Sequence, residues 1–261
     1  MLATTLRQTR INGKKYYPHE KVELSESDFK RLSDMGIVEL YVKPKISNTI
    51  KIDEIGIVVL LSGNKTVKHV QDWLRMCDVP CKCSLYFLDS SGCGKFGQRI
   101  KRWLGSSMIH KRYNKQVYLT YKPKFHLKKT DTVAELYNQI IPFVSESYIL
   151  TLEDDIEPPR DGLKRLIEDY PQGAFVFGMP YESRHGGYAV SFEDVFIRAE
   201  TLPNEIAEVK AVGGGFTLWA DFERIVRDRP YKGWDDWLCA RIRQRGGKVF
   251  IHSKHCKHYH T

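Results

Sequence analysis

From Ile55 to Leu61 the chain is apolar at nearly every position, and shorter runs of the same kind recur at Ser84–Leu88, Tyr148–Leu152 and Ala174–Met179. Runs of this length without polar alternation suit strands buried on both faces, as in a parallel sheet. A further strand is predicted around Val117–Thr120. Between these runs the pattern changes, and helices are predicted over about 66–76, 95–103, 132–144 and 160–170. Strands that alternate with helices imply a doubly wound, mostly parallel α/β sheet with helices on both faces, whose ligands bind at the carboxyl ends of the strands. After a polar, glycine-containing stretch at 181–200, read as a loop or hairpin over the site, Gly213, Gly214 and Gly215 lead into another apolar strand. A helix then opens at Gly233 and reaches Arg245, and a short strand closes the domain at Lys248–His252.

The first 46 residues follow another pattern. Tyr16, Tyr17, Pro18, Val22 and Leu24 suggest short strands or turns. Ser25 caps a helix, with Asp28 completing an imperfect capping box, and that helix ends near Gly36. Ile37, Val38, Leu40 and Val42 form a last β segment before Pro44. The expected organisation is a small α+β module at 1–46 followed by the main domain at 47–261. The stretch YYPHEKVELSESDFKRLSDMGIVEL resembles a small module found at the termini of bacteriophage proteins, which hints at a viral source.

Composition adds limits. A chain of 261 residues, 42% of them hydrophobic, can build one sizeable core. No apolar run approaches the length of a membrane span and the first ten residues lack a signal-peptide centre, so a cytoplasmic protein is expected, in the host cytoplasm if viral. The six cysteines are irregularly spaced. Cys77, Cys81, Cys83 and Cys93 match no standard pair of zinc knuckles, and ordinary thiols are the better reading. The net charge is +9, and from Lys95 to Lys129 there are eleven Lys and Arg with no Asp or Glu. Phe96, Trp103, Tyr113, Tyr118, Tyr121 and Phe125 are interleaved with them. That composition suits a nucleic-acid groove, in which cations meet phosphates and rings stack on bases, or else a solvated basic face with core aromatics beneath it.

The candidate chemistry collects at strand ends. Tyr148–Leu152 runs into Glu153, Asp154, Asp155, Ile156 and Glu157 before Pro158-Pro159 stops it. Adjacent carboxylates repel, so a hard divalent cation that also carries phosphate oxygens is a natural partner. The plainer reading is an acidic turn favouring the N-terminus of the next helix. Asp89 and Ser90 end the second strand. The three glycines let backbone approach a ligand. Asp235 and Asp236 open a helix, where they either cap it or face the cleft, and His255 and His258 lie near the end.

An Asp after the second strand, an acidic triplet after the fourth, a glycine-rich segment, a W-D-D-W helix start and a terminal histidine together resemble the GT-A glycosyltransferases, near the family 2 type, over about residues 50 to 260. The resemblance implies that Asp89, with Ser90, Asp154, Gly213 and Gly214, receives the nucleotide-sugar donor, a UDP-sugar above all. It makes Glu153 and Asp155 the counterpart of the D-x-D metal motif, with Asp155 the favoured direct ligand of Mn²⁺ or Mg²⁺, since Glu stands where the family usually has its first Asp. His258, somewhat ahead of His255, completes the metal shell. Asp235 or Asp236 supplies the base, Asp235 preferred. The expected acceptor is a hydroxymethylated pyrimidine in DNA. The rivals are a surface polysaccharide, lipid-linked glycan or protein acceptor, and a non-catalytic nucleic-acid-binding protein on a degenerate transferase fold.

Overall fold

The computed structural model describes residues 2–5, 9–12, 14–16, 21–40, 51–63, 67–123, 129–193, 198–220, 222–225 and 233–259. The N-terminal stretch forms β1 (Leu2–Thr5), β2 (Thr9–Ile11), β3 (Lys14–Tyr16), β4 (Lys21–Glu23), α1 (Glu26–Asp34) and β5 (Val38–Leu40). β1 lies between β4 and β5 in an antiparallel sheet, while β2 and β3 pair separately. The expected cap is present, with Ser25 Oγ accepting from the Asp28 N–H at 3.1 Å. The helix stops before Gly36, whose φ of 63° suits glycine. Ala3, Val22, Leu24, Leu32 and Val38 form a small core of their own. Tyr17, Pro18, Val42, Pro44 and the expected boundary near residue 46 lie outside the described residues.

The remaining elements are β6 (Glu54–Leu61), α2 (Val67–Met76), β7 (Lys82–Asp89), α3 (Gly94–Leu104), α4 (Ser107–Arg112), β8 (Gln116–Thr120), α5 (Lys129–Ile140), β9 (Tyr148–Glu153), β10 (Ile156–Glu157), α6 (Gly162–Glu168) and β11 (Ala174–Gly178). They continue with β12 (Val190–Ser191), β13 (Ala207–Val209), β14 (Ala211–Val212), β15 (Phe216–Trp219), α7 (Trp234–Gln244), β16 (Lys248–Ile251) and β17 (Lys257–His258). Eight strands make one sheet in the order β13-β16-β11-β15-β9-β6-β7-β8. Four of its seven ladders are parallel, β9-β6-β7-β8 and β11-β16, so the fold is the expected mixed α/β architecture with a mostly parallel sheet. The antiparallel strand β15 enters between β9 and β11 and runs in the same direction as β13, so the chain reverses between β11 and β13, ahead of the glycines.

The apolar runs have two faces to fill. Ile55, Ile57, Val59 and Leu61 of β6 point into a core shared with Trp73 and Leu74 of α2, Ile100 of α3 and Leu163 of α6. Val58 and Leu60 point the other way, against Tyr137 and Ile140 of α5 and Leu238 of α7. This period-two division is why those strands carry no polar alternation. One predicted boundary moves and one helix is added. The helix expected to reach Val144 ends at Ile140, because Pro142 allows only a single 3₁₀ turn, Ile141–Phe143, and α4 was not expected. Stacking the strands in parallel brings the ends of β6, β7 and β9 to one edge, in register at Leu61 with Asp89 and at Leu60 with Glu153.

Candidate active site

The three acidic residues at the end of β9 separate in their contacts. Asp154 is buried at 7% exposure, and its Oδ2 accepts from both the Ser62 N–H and the Ser62 hydroxyl at 2.7 Å. Burial pushes its carboxyl above the ordinary range, against the pull of the Ser62 bonds. Expected at the donor, Asp154 instead ties the turn after β6 to the end of β9. Glu153 is half-buried, and its amide donates to the Gly215 carbonyl at 3.0 Å. The phenols of Tyr137 and Tyr181 are held well above their ordinary value, first by burial and then by the charges of Glu153, Asp235 and Asp155. Those three carboxylates therefore converge on one region although 82 residues separate Glu153 from Asp235.

Asp155 meets the C-terminal strand. β10 pairs antiparallel with β17, Ile156 opposite His258, and the Tyr259 N–H donates to the Asp155 carbonyl at 2.8 Å. This ladder sets His258 Nε2 at 3.4 Å from Asp155 Oδ2. The other ring nitrogen, Nδ1, lies 2.8 Å from the Glu182 carbonyl, to which it can only donate. In that tautomer a neutral ring turns the Nε2 lone pair toward a carboxylate, and only a proton or a cation reconciles the two. Accordingly Asp155 holds the imidazole above its usual value. Asp155 Oδ1 is buried without a hydrogen-bond partner among the described residues. His255, the alternative ligand, is exposed and lies against the Tyr188 ring at 6.0 Å. Nearby, Tyr259 donates its hydroxyl to Glu157 and stacks on His69 at 3.9 Å, contacts the sequence did not suggest.

Among the described residues no group of three or more His, Cys, Asp and Glu side chains forms a metal cage. A two-ligand pair nevertheless fits a hard cation that completes its shell with phosphate oxygens and water. The orphaned Asp155 Oδ1 and the oriented His258 Nε2 are the observations on which that fit rests.

Asp89 sits at the end of β7, 4% exposed, and accepts from the Ser91 N–H at 2.8 Å and from the Tyr118 hydroxyl at 2.5 Å. It borders a cavity of about 320 Å³ whose wall includes Gly97, Lys101, Tyr118 and Tyr121. A Cβ at Gly97 would lie 2.5 Å from the Tyr118 oxygen, so glycine lets α3 approach the Asp89–Tyr118 pair. Ser90, expected to touch the donor, spends its hydroxyl on the Leu61 carbonyl at 3.0 Å.

The glycine triplet serves packing more than ligand approach. A Cβ at Gly214 would come within 2.0 Å of the Trp234 ring, and one at Gly213 within 2.8 Å of both Ala189 and the Tyr181 oxygen. Trp234 and Trp237 are buried core rings. Asp235 is half-buried at the first turn of α7, where Oδ1 accepts from the Asp236 N–H at 3.0 Å and Oδ2 from the Gly214 N–H at 3.1 Å. Burial raises its carboxyl above the ordinary range, and the two amide donors oppose that rise. Asp236 turns inward at 8% exposure.

The basic segment also resolves into two faces. Lys95, Arg99, Lys101, Arg102, Lys111 and Lys122 are exposed, whereas Phe96, Trp103 and Tyr113 belong to the core. Tyr118 and Tyr121 give their hydroxyls to Asp89 and Glu135, and Phe125 lies outside the described residues. Phe96, Trp103 and Tyr113 are thus the buried side of an amphipathic layer, while Tyr118 and Tyr121 are half-buried at the wall of the Asp89 cavity. All six cysteines are free thiols, and Cys93 lies past the far end of β7 from Cys81 and Cys83, as the thiol reading expects. Among the described residues no helix is long and apolar enough to cross a membrane.

No sequence-family model and no curated protein sequence matches the chain. Solved structures do. The mannosyltransferase PcManGT from Pyrobaculum calidifontis, in complex with GDP-Man and Mn²⁺, superposes with a TM-score of 0.55 at 12% identity, over 88% of this chain and 63% of that one. TarS from S. aureus gives 0.51 at 11% identity, over 80% of this chain and 37% of that one. This chain therefore spans less than two thirds of either neighbour. The likeness shows the fold, GT-A-like, shared with nucleotide-sugar transferases.

Proposed function

We propose that the protein is a metal-dependent glycosyltransferase that moves a sugar from a nucleotide-sugar to an acceptor hydroxyl. The observation that carries this reading is the Asp155–His258 pair, made by the β10–β17 ladder at the same sheet edge as Asp89 and on the same acidic region as Asp235. The GDP-Man and Mn²⁺ held by PcManGT on the same fold support it.

In this reading Asp155 and His258 hold the divalent ion, with Glu153 as a further carboxylate beside it. When bound, Mn²⁺ or Mg²⁺ neutralises charge on the departing diphosphate. The cavity at Asp89 takes the nucleoside, where the buried carboxylate and the Lys101 ammonium, 5.0 Å from the Tyr118 ring, offer an acceptor and a charge. Arg184 lies close enough for its charge to oppose protonation of His258, which sets a cation beside the proposed diphosphate. Asp235 accepts the proton of the acceptor hydroxyl as that oxygen attacks the anomeric carbon. The bond from that carbon to the diphosphate oxygen breaks, and the electron pair leaves with the diphosphate. The Gly214 and Asp236 amides fix the Asp235 carboxylate for this work.

For the acceptor we keep hydroxymethylated pyrimidine DNA as the first substrate to test. Its support is the exposed basic face, since Phe96, Trp103 and Tyr113 are core and Tyr118 and Tyr121 border the Asp89 cavity. Incubation with UDP- and GDP-sugars and Mn²⁺ should release nucleoside diphosphate slowly without acceptor, and labelled sugar should then appear on hydroxymethylated but not on plain duplex. Equal failure on both duplexes, with donor hydrolysis intact, moves the acceptor to a glycan, lipid-linked glycan or protein. If no common donor is hydrolysed while DNA is bound tightly, the transferase reading falls and a binding protein on this fold is the better account.

A further inference from the structure

The end of the sheet away from the acidic cluster carries a second hollow. β7 enters there at Lys82 and leaves at Asp89, a run of roughly 23 Å by strand rise. The hollow, about 490 Å³, lies between the 79–83 segment and the end of α4, and its wall includes Lys82, His110, Lys111 and Arg112 but no Asp or Glu. Asp53 and Asp78, whose charges reach the neighbouring cysteines, already face cations: Asp53 has Lys51 Nζ at 2.8 Å and Asp78 has Arg160 Nε at 4.0 Å.

Arg112 is the unusual member. Its Nη2 donates to Cys77 Sγ at 3.8 Å, a thiol that burial keeps protonated and neutral, and its guanidinium lies 5.9 Å from the Tyr113 ring. Its Nε is buried and lacks an acceptor among the described residues. A guanidinium is always charged and presents five donors, so one that meets only a thiol sulfur, the Tyr113 phenol and its ring face, all neutral, has no anion to balance its charge. The attraction of cations to the last turn of a helix accounts for basic residues at the end of α4, but not for a buried donor without an acceptor.

We propose that this hollow binds a phosphate group, free or carried on a small molecule, held by Arg112 and Lys111 with Lys82 at its rim. The planar fork of arginine matches phosphate oxygens in pairs, and the lysines add charge without fixed direction. The proposal is independent of the transferase reading, because the two sites lie at opposite ends of the sheet.

Cys81, half-buried in the wall, supplies a reporter, and the exposed Cys93, in the wall of the Asp89 cavity at the other end, supplies a comparison that reports any phosphate bound there. In chelator-treated buffer, which keeps divalent ions out of the acidic site, alkylation of each thiol by N-ethylmaleimide is followed by peptide mass spectrometry. Inorganic phosphate and glycerol 3-phosphate form separate arms against chloride at equal ionic strength. Either one should slow labelling of Cys81 several-fold and leave Cys93 unchanged, the arm that acts identifying the source. The protection should disappear in Lys111→Gln and in Arg112→Gln. Lys111 is exposed, so its variant stays informative even where loss of Arg112 disturbs packing. No slowing at tens of millimolar, or equal slowing in wild type and both variants, overturns the proposal. So does protection by duplex DNA alone, which would make these cations a polyelectrolyte contact.

Discussion

Asp235 and Asp236 are neighbours in sequence with opposite fates, and the difference makes a prediction. Asp235 is aimed at the glycine segment by two amides, while Asp236 is turned into the core. Asp235→Asn should therefore keep donor binding and lower transfer by about 10²-fold or more, as expected when a positioned base is lost. Burial raises the Asp235 carboxyl, and a base works only when ionised, so wild-type transfer should fall as the pH drops while still above the ordinary carboxylate range. A pH–rate profile checks this; an acid limb no higher than that of a free carboxylate would remove Asp235 from the role. The acidic triplet gives a second contrast. Asp154→Ala strands the Ser62 donors and should cost about 2 kcal/mol in urea unfolding, whereas Asp155→Ala should abolish Mn²⁺-supported turnover and change stability little. The sequence revealed that the triplet was special, but not that its middle member faces Ser62, 92 residues earlier, because that pairing depends on strand register.

At the scale of elements, strand and helix order was readable because β6, β7 and β9 are apolar on both faces and the intervening helices are amphipathic. The two-residue strands were not. β10 and β17 are too short to carry a periodic signal, yet their ladder decides which histidine reaches Asp155. His258→Ala should weaken Mn²⁺ binding, measured by the electron paramagnetic resonance of free ion, by about 10-fold or more. His255→Ala, on an exposed ring beside Tyr188, should leave it unchanged. The reverse result would mean that the β10–β17 ladder does not set the metal shell. The glycine triplet is legible as a constraint, but its packing cause is not. Its missing side chains accommodate Trp234 and Tyr181, and a pattern of glycines does not disclose which neighbour occupies the space.

For the whole molecule, the charge of +9 was plain in the sequence, but its meaning depended on which side of each helix faced water. With Phe96, Trp103 and Tyr113 inside, attraction to a polyanion falls chiefly to the phosphate-neutralising cations, so any DNA binding should be steeply salt-dependent and largely indifferent to base sequence. The N-terminal module raises the last question of organisation. Its buried residues, Ala3 to Val38, form a core that shares no member with the two cores flanking the main sheet. A core so small stabilises little by itself. We therefore propose two domains that divide between Leu40 and Lys51, and expect a chain beginning at Lys51 to keep the main domain. Its thermal midpoint should fall by no more than about 3 °C, since roughly 1 kcal/mol corresponds to a shift of that size in a domain of this length. Donor hydrolysis should persist in the shortened protein, because Asp89, Asp155, Asp235 and His258 all lie beyond the cut. Loss of cooperative unfolding on truncation would show instead that the first 50 residues complete the main core, and the two-domain division would have to be abandoned.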